Sequence, residues 1–300
     1  MNDHILHEEM LKRVKPKFYG NERLICKAVA RYPEGIEREY IRLADAYVRL
    51  VNKTLKEYLP QIRAAARADR EERRRLDSAG DLMAAIERAF SAAGVDLDKR
   101  MEEFGLRQKL DGLAHMTRKL SIKEWKREVS ATLGIDLMDD YYLGEFYRRQ
   151  LDAWVDGNVD LIKSIPKDTM AEMKVIVKEG FRGGRTITAI LKDIQNTYGV
   201  KKRSARLIAR DQLSKLNGEL AKEQQQDTGV EEYIWRSVGD SRVRERHREL
   251  DGKRFRWDDP PIVDTKSGRR GHPGDDFQCR CIAIPVFNIK TIDLPMKGGG

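Results

Sequence analysis

The chain has 300 residues, 40% of them hydrophobic and 36% charged, with three cysteines and a formal net charge of +9. An ordinary globular chain is about 25% charged, so long solvated helices fit this composition better than one compact enzyme globule. Three cysteines in a long chain do not make a disulfide scaffold, and no apolar run approaches the ~20 residues that span a bilayer. The start, Met1-Asn2-Asp3-His4-Ile5-Leu6-His7-Glu8-Glu9, is acidic where a secretory signal would be basic and then apolar, so folding in a reducing cytoplasm is the simplest expectation. The positive charge is spread over both halves, which implies a mild affinity for polyanions without a basic tail.

Residues 1–20 mix charge with Pro16 and Gly20 and read as an arm without a core of its own. From Ile36, the residues Tyr40, Leu43, Tyr47, Leu50, Leu55 and Leu59 recur on one helical face, continuing past a kink at Pro60 toward Leu76. Arg73-Arg74-Arg75 is the densest basic spot of this half and reads as a solvated face balanced by Glu71 and Glu72. Ser78 caps a helix through Phe90 that stops near Gly94. Helical patterns then cover 101–120, 122–133 and 141–154, the last with Tyr142, Phe146, Leu151 and Trp154 as packing bulk. Residues 1–157 thus read as an elongated helical region with no recognisable chemistry.

Residues 158–230 read as three short helices. Pro166 opens the first, with Gly180 as its stop. Thr186 or Thr188 caps the second, which ends at Gly199, and the third runs from Lys201 to a stop at Asp227-Thr228-Gly229. Beyond Gly229 the period changes. Strands are expected at 233–237, 253–257 and 281–286, around a loop rich in proline, glycine and aspartate over 258–276. The fold class is therefore mainly α with a small C-terminal α+β module, 231–287, and a tail, 288–300, closing on three frayed glycines.

Four soft-metal ligands fall in that module: His247, His272, Cys279 and Cys281. Two imidazoles and two thiolates suit a closed tetrahedral structural zinc, and a short module poor in apolar residues gains folding energy from such an ion. The Cys-x-Cys bite is tighter than the usual spacing. Two cysteines in a buried strand beside two surface histidines are the alternative, which needs no metal. Arg242, Arg244, Arg246 and Arg248 alternate after a turn at Asp240, on what reads as a turn into a helix that splits them around its cylinder. With Lys201, Lys202 and Arg203 they lie in the most basic stretch of the chain, suited to non-specific, salt-sensitive contact with DNA phosphate. No phosphate-binding loop, zinc-protease helix or nucleophile elbow occurs. A hydrolase using Asp240, His247, His272 and one metal is conceivable, but a shell closed by cysteines leaves no position for water.

Several motifs together resemble the phage Mu F-like head morphogenesis family. They are Ala205-Arg206-Leu207-Ile208-Ala209-Arg210-Asp211-Gln212 with Lys215-Leu216-Asn217, then Tyr233-Ile234-Trp235-Arg236 and Asp240-Ser241-Arg242-Val243-Arg244. His247, Leu250-Asp251-Gly252, His272-Pro273-Gly274 and Cys279-Arg280-Cys281 complete the set, which spans roughly 158–286. The resemblance implies a structural, non-enzymatic minor head protein of a tailed double-stranded DNA phage. It would meet the portal protein or the major capsid protein and packaged DNA, with no membrane. Its place would be inside the head near the portal, after assembly in the host cytoplasm. The aspartate, histidine and Cys-x-Cys pattern is shared by many members and strengthens the zinc expectation at His247, His272, Cys279 and Cys281. Only 287–300 follows the module, so no toxin or enzyme cargo is expected. The alternative function is a metal-dependent nucleic-acid-processing enzyme using His247 and His272.

Overall fold

The computed structural model describes residues 2–74, 82–138, 140 and 144–297. The side chains of Arg73 and Arg74, residue Arg75, the helix end at Leu76, the cap at Ser78, Tyr142, the Phe146 side chain and the closing glycines lie outside what is described. Among the described residues the chain is mainly helical, with a small strand-bearing C-terminal part. Helix α1 (Asn2–Val14) and a 3₁₀ turn (Lys15–Phe18) lead to strand β1 (Arg23–Ile25). Helices α2 (Glu34–Arg74), α3 (Leu82–Glu103), α4 (Leu106–Leu133), α5 (Glu145–Arg182) and α6 (Ile187–Asp227) follow. The module then contributes β2 (Glu232–Arg236), α7 (Glu245–Leu250), β3 (Arg254–Arg256), β4 (Ile262–Asp264), β5 (Arg269–Arg270) and β6 (Ile282–Asn288).

The helices are fewer and longer than the local breakers imply. Pro166 lies inside α5 and does not open a helix. An interior proline costs about 3 kcal/mol, but the flanking Ile162, Ile165, Met170 and Met173 are all buried, each stabilising by about 1.5–3 kcal/mol. Gly199 likewise fails to stop α6, which runs on to Asp227. Its cost of about 1 kcal/mol is outweighed by the buried Ile194, Ala205 and Ala209 on either side. The cap at Thr186 does form, its Oγ1 accepting the Ala189 N–H.

The chain divides into two compact units that interleave along the sequence: Met1–Glu37 with Gly112–Trp154 and Arg210–Gly300, and Arg38–Asp111 with Val155–Ala209. The boundary expected at residue 157 falls within α5, so 1–157 is not a separate body. The second unit is helical throughout its described residues, with Tyr47, Val48, Ile86, Leu97, Ile162, Met173 and Val177 in its core. Within it, the buried Tyr40 hydroxyl donates to Asn158 Oδ1 and Arg206 Nε donates to Asp45 at 2.8 Å.

The first unit holds an antiparallel sheet in the order β1-β6-β2-β3, with a β4-β5 hairpin beside it. Tyr233 and Trp235 share one face of β2 and are fully buried against Leu250, Trp257, Val263, Cys279, Cys281 and Ala283. The amino-terminal arm is part of this unit, since Met10, Val14 and Phe18 are buried and β1 pairs with β6 from Arg23↔Asn288 to Ile25↔Val286. The tail docks too, with Ile292, Leu294 and Met296 buried and the Lys297 N–H donating to Asp136 O.

Between β1 and α2 the backbone is strapped onto one face of α4. Lys27 N–H donates to Thr132 Oγ1, Ala30 N–H to Glu128 Oε1 and Arg31 N–H to Glu124 Oε2. Burial pushes the Glu128 carboxyl up to about 8, against the pull of Ala30 and Arg127. The folded chain therefore holds a proton that the unfolded chain releases near its ordinary value of 4.5. Stability contributed by this group is fully present below that value and is lost as pH rises toward about 8. Glu128→Gln is expected to flatten this decline in denaturant melts at pH 5 and pH 8; an unchanged slope would contradict the assignment.

Candidate metal centre

Three elements deliver the site. Helix α7 places His247 over Trp235, ring centroids 5.3 Å apart, and buries it. The loop entering β6 carries Cys279 and Cys281, both buried. That loop is pinned from α6. Gln278, at φ 53°, donates its N–H to Asp211 Oδ1 at 2.9 Å, and Asp211 is itself buried and paired with Lys215. The Asp211–Lys215 motif noted in the sequence thus has a mechanical role: it holds the backbone one residue before the first thiol. A second fixture is a backbone contact between α6 and the His272-Pro273-Gly274 turn. A Cβ on Gly218 would meet Pro273 O at 2.8 Å, and one on Gly274, at φ +99°, would meet Gly218 Cα at 3.0 Å.

His247 Nδ1 lies 3.5 Å from Cys279 Sγ and 3.6 Å from Cys281 Sγ, and the ligand atoms of all three residues fall within 4.8 Å of one another. Bond lengths of ~2.3 Å to sulfur and ~2.0 Å to nitrogen around a tetrahedral zinc give sulfur–nitrogen edges of ~3.6 Å. The two soft sulfurs, the imidazole and these separations fit zinc. The other ring nitrogen is fixed as well. His247 Nε2 is 3.1 Å from Asp276 Oδ2, the carboxylate–imidazole pairing that directs Nδ1 toward a metal.

Asp276 is the electrostatic hub. It is 3% exposed at its side chain and accepts from Arg244, from Arg269 and from the Phe277 N–H. Burial would raise its pKa, but His247, Arg269, the Phe277 N–H and Arg244 together hold it well below the usual carboxylate range. Burial would lower His247, yet Asp276 and Cys279 outweigh it and raise the imidazole to about 9. The hydrogen bond from Cys281 and the presence of His247 depress the Cys279 thiol, while Cys279 and burial raise that of Cys281. Negative charge is thus favoured on Cys279 over Cys281, beside an imidazole whose charged form Asp276 favours.

His272, expected as the fourth ligand, is not in this group. Its Nδ1 is 2.9 Å from the Tyr233 hydroxyl, its ring packs 4.8 Å from that of Trp257, and burial pushes its pKa down. The α6 contact that fixes its turn also fixes it in the aromatic core. Three protein ligands thus converge where four were expected. They open on a cavity of about 230 Å³ lined by Arg210, Arg242, Arg244, Phe277 and Arg280. The four alternating arginines divide: Arg246 donates to Ile262 O and Glu249, and Arg248 to Val243 O. Lys201 pairs with Glu172, Lys202 lies 3.9 Å from Asp45, and Arg203 is exposed. Asp211 and Arg280 stand in the sequence only as members of the family-like motifs, with no role of their own, and Asp276 has no mark beyond the Asp275-Asp276 pair just before the cysteines.

No solved structure matches the chain. An uncharacterized protein of Haemophilus influenzae is 36% identical over 168 residues, covering 54% of this chain but only 36% of that relative. The family model of Phage Mu protein F like protein matches residues 171–284, from the middle of α5 into β6, and so takes in Asp211, His247, Asp276, Cys279 and Cys281. Over residues 171–284 the chain is therefore similar to the bacteriophage Mu protein F like family.

Proposed function

We propose that the protein is a structural minor head protein of a tailed double-stranded DNA phage, acting in head morphogenesis and not as an enzyme. The observation that carries this reading is the family match over 171–284, which takes in α6, strands β2 and β3, the start of β6 and the thiol cluster. The remaining helices supply the surface that meets the portal protein or the major capsid protein. The site of action is inside the head beside packaged DNA. Zinc at His247, Cys279 and Cys281 stabilises the module; when bound, it supplies cross-linking of α7 to the loop entering β6. Asp276 orients the imidazole and Asp211 orients the thiols. The test is to purify proheads from cells making the phage with a tagged full chain. Co-sedimentation with proheads and capture of the portal protein are expected; a chain that stays in the soluble fraction while heads mature normally would reject the reading.

One observation favours a second reading, a metal-dependent nucleic-acid-processing enzyme. Three side-chain ligands facing a cavity leave a coordination position that a closed four-ligand shell would not. Among the described residues, Glu37 is the one carboxylate that lines the cavity, and it is held 3.3 Å from Arg210. Divalent-dependent cleavage of DNA by the purified chain separates the two readings.

A further inference from the structure

The four arginines of the cavity have more positive charge than their partners offset. Arg242 and Arg280 share the single carboxylate of Asp240, at 3.1 and 2.5 Å. Arg244 and Arg269 share Asp276. A guanidinium carries five N–H donors, and these contacts use only one or two on each residue. The shared carboxylates hold the planar forks in place while leaving them net cationic, the condition for bidentate capture of an oxyanion. Arg210 adds an independent sign. Its Nε is buried and makes an ion-pair contact with Glu37 at 3.3 Å but no hydrogen bond. A buried N–H left without a hydrogen bond is a donor that a ligand or water can complete.

The fifth feature is Phe277. It lines the same cavity and is 51% exposed, whereas Tyr233, Trp235 and Trp257 of the module are buried. A flat apolar face beside arginines is the arrangement on which nucleobases stack. At ~30 Å³ per water, a cavity of about 230 Å³ has room for a phosphate and part of its ester. Its concave shape suits a single nucleotide better than the convex backbone of a duplex.

We infer that this cavity is a nucleotide-phosphate site, with Arg210, Arg242, Arg244 and Arg280 taking the phosphate and Phe277 stacking on the base. The site goes beyond the head-protein reading. It does not depend on zinc, because Asp240 and Asp276, not the thiols, hold the arginines. Calorimetric titration of the full chain at low ionic strength with deoxyadenosine monophosphate, inorganic phosphate and a blunt DNA duplex tests it, with metal content measured on the same samples. The monophosphate should bind saturably at one per chain and more tightly than inorganic phosphate or, per molecule, the duplex. Arg242→Ala, at a side chain 65% exposed and so safe for the fold, should weaken it about tenfold. Phe277→Ala should weaken the monophosphate and leave inorganic phosphate unchanged. Absence of saturable binding, equal affinity for monophosphate and inorganic phosphate, or unaltered affinity in Arg242→Ala would each overturn the inference. Zinc-loaded protein that binds no phosphate would sink this site alone; phosphate binding by zinc-free protein would sink the metal reading alone.

Discussion

Replacing Cys279 and Cys281 together with serine is expected to abolish metal binding and unfold the module. A zinc bound by thiolates and imidazole is worth about 10–16 kcal/mol in small zinc-folded peptides, as much as the whole stability of an ordinary domain at about 5–15 kcal/mol. Loss should spread beyond 231–287. Strand β6 begins immediately after Cys281 and is the central partner of both β1 and β2, so α1 and β1 lose their support with it. Near-ultraviolet dichroism of Trp235 and Trp257, with hydrogen exchange along β1, reads this directly. A double variant with the wild-type melt would show that the sheet and its aromatic core suffice without metal.

Asp276→Ala is expected to destabilise the chain by about 3 kcal/mol, at the lower end of the cost of stripping one partner from a buried ion pair. The lower end applies because Arg244 and Arg269, 44% and 46% exposed, regain hydration when released, whereas His247 at 3% does not. Zinc affinity should fall 10–100-fold along with it, since the imidazole loses the group that orients it. Asp276→Asn keeps an acceptor of similar shape and should fall between wild type and alanine. Denaturant titration of the three proteins gives the order; a cost below about 1 kcal/mol for alanine would reduce Asp276 to a surface ion pair.

What was legible in the sequence follows from how local each signal is. Alternation of aromatic and β-branched residues at 233–237, 253–257 and 281–286 is a short-range pattern, and strands β2, β3 and β6 form there. The helical periodicity of the long amphipathic stretches was equally visible, but their ends were not. Pro166 and Gly199 are local breakers, and the buried side chains that flank them on the same helices override them. β1 escaped notice because three residues, Arg23–Ile25, carry no period and gain their pairing only from β6, more than 250 positions away. The β4-β5 hairpin was hidden within a segment whose composition reads as loop.

The site shows the same division. His247, Cys279 and Cys281 were visible as ligand types, and the structure brings them together. His272 was chosen on the same chemistry and excluded by packing that no spacing reveals, the Gly218–Gly274 backbone contact and the slot between Tyr233 and Trp257. Asp276 has no sequence mark distinguishing it from the chain's other acids. It becomes the hub only because folding buries it within reach of Arg244, Arg269 and His247.

Metal content of the full chain, purified without chelators, together with X-ray absorption at the zinc edge, bears most directly on a module organised around these three ligands. Close to one zinc per chain, with two sulfurs and at least one nitrogen in its shell, is the predicted result. A correctly folded chain with no bound metal, or a shell without sulfur, would contradict it.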